Sequence, residues 1–102
     1  MRESVEQIPG FGEVRCLWTE SEAERVKGLL GRDDLAEGMV MGFRHCNAVH
    51  TIGMRFPLDV VFLDRNGGVV RVVRAVRPGR LMVWGGFRAR TTLEARAGWL
   101  KA

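Results

Sequence analysis

Between Cys46 and Asp64 the chain reads CNAVHTIGMRFPLDVVFLD. A thiol, an imidazole, a thioether, a guanidinium and two carboxylates stand in front of or inside an apolar run. These groups admit three kinds of chemistry. Cys46 with His50 as its base would make the nucleophile pair of a small hydrolase, if the thiol is exposed and its thiolate favoured. His45, Cys46, His50 and Met54 are all ligand types for copper(I) or zinc. Their spacing lacks the paired short intervals of a zinc site, and adjacent His45 and Cys46 point to opposite sides of an extended segment. No metal or other cofactor is therefore expected.

The third kind is binding. In LDVVFLD, alternation places Leu58, Val60 and Phe62 on one face and Asp59, Val61 and Leu63 on the other. Both faces are apolar, so the strand reads as central and Asp59 as shielded. A buried carboxylate needs hydrogen bonds or a cation. Arg55, His50 and Thr51 are the near candidates. Glu94, in TTLEA, shares a face with Thr92 and Arg96 while Leu93 and Ala95 turn to the core. It either closes the same polar pocket or stands as an exposed cross-strand charge. The leading expectation is a non-catalytic domain that binds a small anionic ligand or a protein partner. Its pocket comprises His50, Thr51, Arg55, Asp59 and Glu94, with Arg55 on the anion and Asp59 fixing Arg55 or His50. The plain alternative makes Asp59 a structural acid that pins the turn at Pro57. The runner-up function is the hydrolase or metal-binding protein built on Cys46 and His50. A third is a structural module that self-associates through an edge strand, giving a homodimer.

The elements that must position these groups are mostly strands. Residues 1–12 end in IPGFG and read as an irregular entry. EVRCLW (13–18) alternates Val14, Cys16 and Trp18 onto one face. Residues 19–31 form the one predicted helix, with Thr19 as N-cap, Gly31 as C-cap and an apolar stripe of Ala23, Val26, Leu29 and Leu30. Gly28, inside that pattern, implies close approach to a neighbour. Residues 32–38 connect. Strands are expected at 39–43, 48–54, 58–64 and 69–76, with an Asn66–Gly67 hairpin between the last two. Further short strands follow at 81–84, 85–90 and 91–97. About seven short strands and one early helix make a mainly β domain, a compact β-sandwich or barrel-like sheet.

The totals agree. A chain of 102 residues forms one domain, here spanning 13–102. Its net charge of +4 comes almost wholly from arginine, and no block of like charges occurs. Arg71, Arg74, Arg77 and Arg80 would suit nucleic acid beside exposed aromatics. Alternation splits Arg71 from Arg74, however, and a solvated edge is the expectation. No apolar run is long enough for a membrane span. The N-terminus has no apolar signal core, so a cytoplasmic location is expected. Cys16 and Cys46 do not make a disulfide framework and are expected as free thiols.

Three blocks, RVKGLLGRDDLAEGMVM (25–41), CNAVHTIGMRFPLDVVFLDRNGGVVRV (46–72) and TTLEARAG (91–98), resemble the DUF192 family, also called UPF0127. The resemblance covers most of the chain and implies a mainly β, sandwich-like domain of unknown function. Within the family one branch has W-M-K-N-T in place of HTIGM, so His50 and Met54 are branch features. Pro57, Leu58, Asp59, Glu94 and Gly98 are the positions that the branches share.

Overall fold

The computed structural model describes residues 1–28 and 38–100. Its elements are β1 (Arg2–Ile8), β2 (Gly12–Trp18), α1 (Glu22–Lys27), β3 (Met39–Arg44), β4 (Ala48–Val49), β5 (Leu58–Leu63), β6 (Val69–Val76), β7 (Val83–Trp84) and β8 (Thr91–Arg96). Among the described residues the domain is mainly β with one short helix. Six strands form one mixed sheet in the order β1-β2-β3-β8-β5-β6, and β4 pairs with β7 in a small second sheet. All pairs are antiparallel except β2 with β3. A parallel pair needs a crossover, and α1 lies on it.

The large sheet carries a core on each face. Cys16, Trp18, Val40, Val61, Leu93 and Ala95 pack on one face with Ile8 and Leu63. Met41, Phe43, Leu58, Val60 and Phe62 pack on the other, covered by Met54, Phe56 and Val83. The sheet curls, because Arg74 of edge strand β6 stacks over Phe11, in the β1–β2 turn at the other edge, at 5.3 Å. Every residue of β5 is buried, as an apolar run on both faces requires.

The entry is not irregular: residues 2–8 pair with β2 throughout their length. Its inward side is mostly polar. The Ser4 hydroxyl accepts from the indole N–H of Trp18 at 2.9 Å and donates to the Glu6 carboxylate at 2.6 Å. Such a strand has no apolar alternation to announce it. The segment 48–54 is a strand only at Ala48–Val49, and 85–90 is not a strand. Gly85 lies against the Phe62 ring, which leaves no room for a Cβ there.

The helix is shorter than the pattern implies. Its N-cap is Ser21, not Thr19, because Ser21 and Glu24 form a reciprocal capping box. The Thr19 hydroxyl instead donates to the Gly42 carbonyl at 3.1 Å. Ala23 and Val26 are exposed rather than turned to the core. Leu29, Leu30 and Gly31 lie outside the described residues. Gly28 is the C-cap and sits against the Phe43 ring, 3.3 Å from the place of a Cβ.

The Asn66–Gly67 turn forms as expected, with Gly67 at φ 83° and the Asp64 carboxylate accepting from the N–H groups of Asn66 and Gly68. A less expected irregularity lies in β6. Leu58 pairs with Val76 and Val60 with Val73, so Arg74 and Ala75 together oppose Asp59. This is a β-bulge. Ala75 holds φ 52° within it, a conformation that costs an L residue about 1 kcal/mol or more. Ala75→Gly should therefore raise stability by about 1 kcal/mol, read as a higher urea midpoint at an unchanged slope.

Candidate functional site

The five residues expected to share one pocket divide between the two faces of the sheet. Register decides this. Asp59 stands opposite Ala95 in β8, and Val60 opposite Glu94. Cross-strand partners point the same way. Asp59 therefore belongs to the face of Val61 and Leu93, and Glu94 to the face of Val60 and Met41.

Asp59 is 1% exposed and fully engaged. One carboxylate oxygen accepts from the Ala75 N–H at 2.8 Å. The other accepts from Arg74 at 2.9 Å and the Gly98 N–H at 3.0 Å. Arg74 also donates to the Leu100 carbonyl at 2.8 Å. The cation beside Asp59 is thus Arg74, in place of the expected Arg55 or His50. The carboxylate fixes the β6 bulge and the turn after β8, so it acts as a latch between strands. Thr51, likewise completely buried, donates to the Arg77 carbonyl at 2.7 Å and accepts from the Arg80 N–H at 2.9 Å. Both its lone proton and its oxygen serve the 77–80 turn. Arg55 is exposed and is not among the residues lining the pocket below.

Glu94 has a different environment. Its β8 position places it between Met41 of β3 and Val60 of β5. Above it opens a pocket of about 260 Å³ between α1 and the segment around β4. The walls are Phe43, Cys46, Ala48, Val49 and Met54; Glu22, Arg25, Lys27 and His50 add polar groups. Of the expected site residues, the pocket gathers Glu94, His50, Cys46 and Met54. The exposed Arg25 and Lys27 were not expected, since nothing in a helix pattern says which strand its polar face will overhang.

Glu94 is 5% exposed, not a surface charge. No described residue hydrogen-bonds or ion-pairs with its carboxyl group. Burial alone pushes its pKa up to about 8, so at neutral pH the pocket floor is mostly a neutral carboxylic acid.

The backbone holds this pocket open from below. The Cys46 N–H donates to the Arg90 carbonyl at 2.9 Å, and the Thr92 hydroxyl donates to the Cys46 carbonyl at 2.9 Å. The Cys46 thiol donates to the Ala48 carbonyl at 3.2 Å. That contact is with backbone rather than His50. Cys16 lies in the core of the other face, and burial pushes its thiol up to about 12. Both cysteines are free. His45 is exposed, at φ 53°, and does not line the pocket. Among the described residues no three His, Cys, Asp or Glu side chains stand together as metal ligands.

The buried Asp59 and Glu94, and the Gly98 N–H that Asp59 holds, fall on three of the positions that mark the resemblance noted above. The DUF192 model, described as an uncharacterized ACR, matches residues 7–102. The chain belongs to the DUF192 family. Two solved structures share its fold. A protein of unknown function from Novosphingobium aromaticivorans superposes with a TM-score of 0.75 at 18% identity, over 96% of this chain and 83% of that one. A protein from Sinorhizobium meliloti, described as a "putative transcription regulator", superposes with a TM-score of 0.77 at 21% identity, over 94% of this chain and 81% of that one. At these identities the likeness extends to the fold. No curated protein matches the chain. Among the described residues, no helix is long and apolar enough to cross a membrane.

Proposed function

We propose that this DUF192 domain is a non-catalytic binding module whose ligand occupies the pocket over Glu94. The observation that carries the reading is a carboxyl group buried to 5% exposure with no described partner, opening into a cavity. The Glu94 oxygens are not sealed off, since every fully buried side-chain oxygen of the described residues has a partner. They face the cavity, and so desolvated a carboxyl still carries a cost. A ligand that supplies the missing hydrogen-bond donor removes that cost on binding.

The surroundings suggest the ligand's shape. At about 260 Å³ the pocket lies just below the range for drug-sized molecules. Phe43, Val49 and Met54 offer an apolar middle. Arg25 and Lys27 offer positive charge, suited to an anionic end. The ligand is therefore a small molecule with a donor or ammonium group at one end and an anionic group at the other. This keeps the expected anionic character but moves the anion from Arg55 to the helix.

Free amino acids and short aminocarboxylates are the first probes. Titrated into labelled protein, one of them should shift the amide resonances of Gly28, Val49 and Glu94 together. Affinity should rise with pH toward 8, since an ammonium group favours the ionised carboxylate, and Glu94→Leu should abolish binding in a folded protein. Binding that survives Glu94→Leu, or shifts that cluster elsewhere, would contradict the reading. The thiol-nucleophile alternative has one observation in its favour, that Cys46 and His50 line this same pocket. The bond from Cys46 to the Ala48 carbonyl counts against it.

A further inference from the structure

From Arg65 to Leu93 the chain contains seven arginines and no acidic residue. The other 73 residues hold nine basic and twelve acidic side chains. The mild net charge therefore conceals a strong asymmetry. Within this stretch, the largest apolar side chains around β7 face outward. Leu81 is 82% exposed, Met82 62%, Trp84 40% and Phe87 85%. Val83 between them is buried, while Leu81, Met82 and Trp84 are all open to solvent. Trp84 and Phe87 meet edge to face, with ring centroids 4.8 Å apart.

Several of these arginines stand beside the apolar group, Arg90 donating to the Phe87 carbonyl at 2.8 Å, whereas Arg74 is held by Asp59. Arg71 donates to the Trp84 carbonyl at 2.9 Å, which holds its guanidinium beside the patch. Arg80 and Arg88 are exposed and immediately flank the apolar residues in sequence. Asp64 shares a cleft with Phe87 and Arg88, but its carboxylate accepts from the Asn66 and Gly68 N–H groups.

We propose that the 77–90 face docks on an anionic lipid surface, with Leu81, Met82, Trp84 and Phe87 entering the headgroup region and the flanking arginines on lipid phosphates and carboxylates. Two features select this occupant. Charge complementarity requires an acidic surface. Exposed aliphatic Leu81 and Met82 gain from acyl chains, whereas single-stranded nucleic acid rewards flat rings on which bases stack. An apolar protrusion combined with basic charge is the two-signal arrangement that peripheral binding needs. The pocket over Glu94 plays no part in it, so this proposal stands or falls separately.

The test is co-sedimentation of the full chain with vesicles of phosphatidylcholine alone and of phosphatidylcholine mixed with phosphatidylserine. The L81S/F87S double variant is compared with the parent. Both positions are more than four-fifths exposed, so the variant folds, and its unfolding midpoint confirms that. The parent should bind the serine-containing vesicles, and bind them less as salt is raised. The double variant should bind about tenfold more weakly. No binding to acidic vesicles overturns the proposal. So does equal binding by the double variant, which would leave charge alone at work. Retention of a single-stranded oligonucleotide by a protein that ignores vesicles would instead assign the face to nucleic acid.

Discussion

Glu94→Gln should stabilise the folded protein at alkaline pH, by about 3–5 kcal/mol at pH 9, and leave it nearly unchanged at pH 4. The sign follows from linkage. Burial raises the folded pKa of Glu94 from 4.5 to about 8. Between those values the folded protein holds a proton that the unfolded chain has released, so stability falls as pH rises. The contribution of this group is fully present below pH 4.5, is lost progressively up to about 8, and changes no further above that. Glutamine keeps the shape and cannot ionise, so the variant's profile loses this slope. Urea unfolding of both proteins across the pH range measures it. A residue whose removal improves the fold is one that packing does not explain, which is what a ligand-facing group looks like.

Asp59→Ala should have the opposite effect and an equal rank. The substitution orphans the N–H groups of Ala75 and Gly98 and separates Arg74 from its carboxylate. Buried unpaired donors cost about 1–3 kcal/mol each. Arg74 is 43% exposed and recovers water, so its share is smaller. A loss of about 3–4 kcal/mol results, seen as a lower urea midpoint. Asp59→Asn, which keeps an acceptor oxygen, should recover part of it. Ligand binding, measured where the variant remains folded, should persist, because Asp59 and Glu94 occupy opposite faces.

Those opposite faces mark where local pattern stops being informative. Alternation correctly grouped Asp59 with Val61 and Leu63, and Glu94 apart from Leu93 and Ala95. Whether the two carboxylates meet depends on the register of β5 against β8, strands about thirty residues apart, and no local spacing encodes that. The same limit hid Arg74. Its approach to Asp59 depends on a bulge at Ala75, and the sequence offers no glycine there to signal the positive φ. Elements with strong alternation or firm turn chemistry were legible: β2 through Val14, Cys16 and Trp18, β5 through its continuous apolar run, and the hairpin through Asn66–Gly67. β1 was not, since Ser4 and Glu6 turn inward to bond one another and the Trp18 indole. The full burial of Thr51 was equally silent, because its hydroxyl serves backbone groups at 77–80 that only the fold brings near. Of the five residues expected to share a pocket, His50 and Glu94 line one cavity, while Thr51, Arg55 and Asp59 do not.

The most direct test is to follow the side-chain carboxyl carbon of Glu94 by NMR as pH is raised in the ligand-free protein. A midpoint near 8 is expected, with the resonance of a neutral acid below it. That result would establish a carboxyl group kept protonated by burial and facing an open pocket. A midpoint near the ordinary glutamate value would mean that water or a cation already satisfies Glu94. The pocket would then lack the unpaired group on which ligand binding was argued, and the claim would fail.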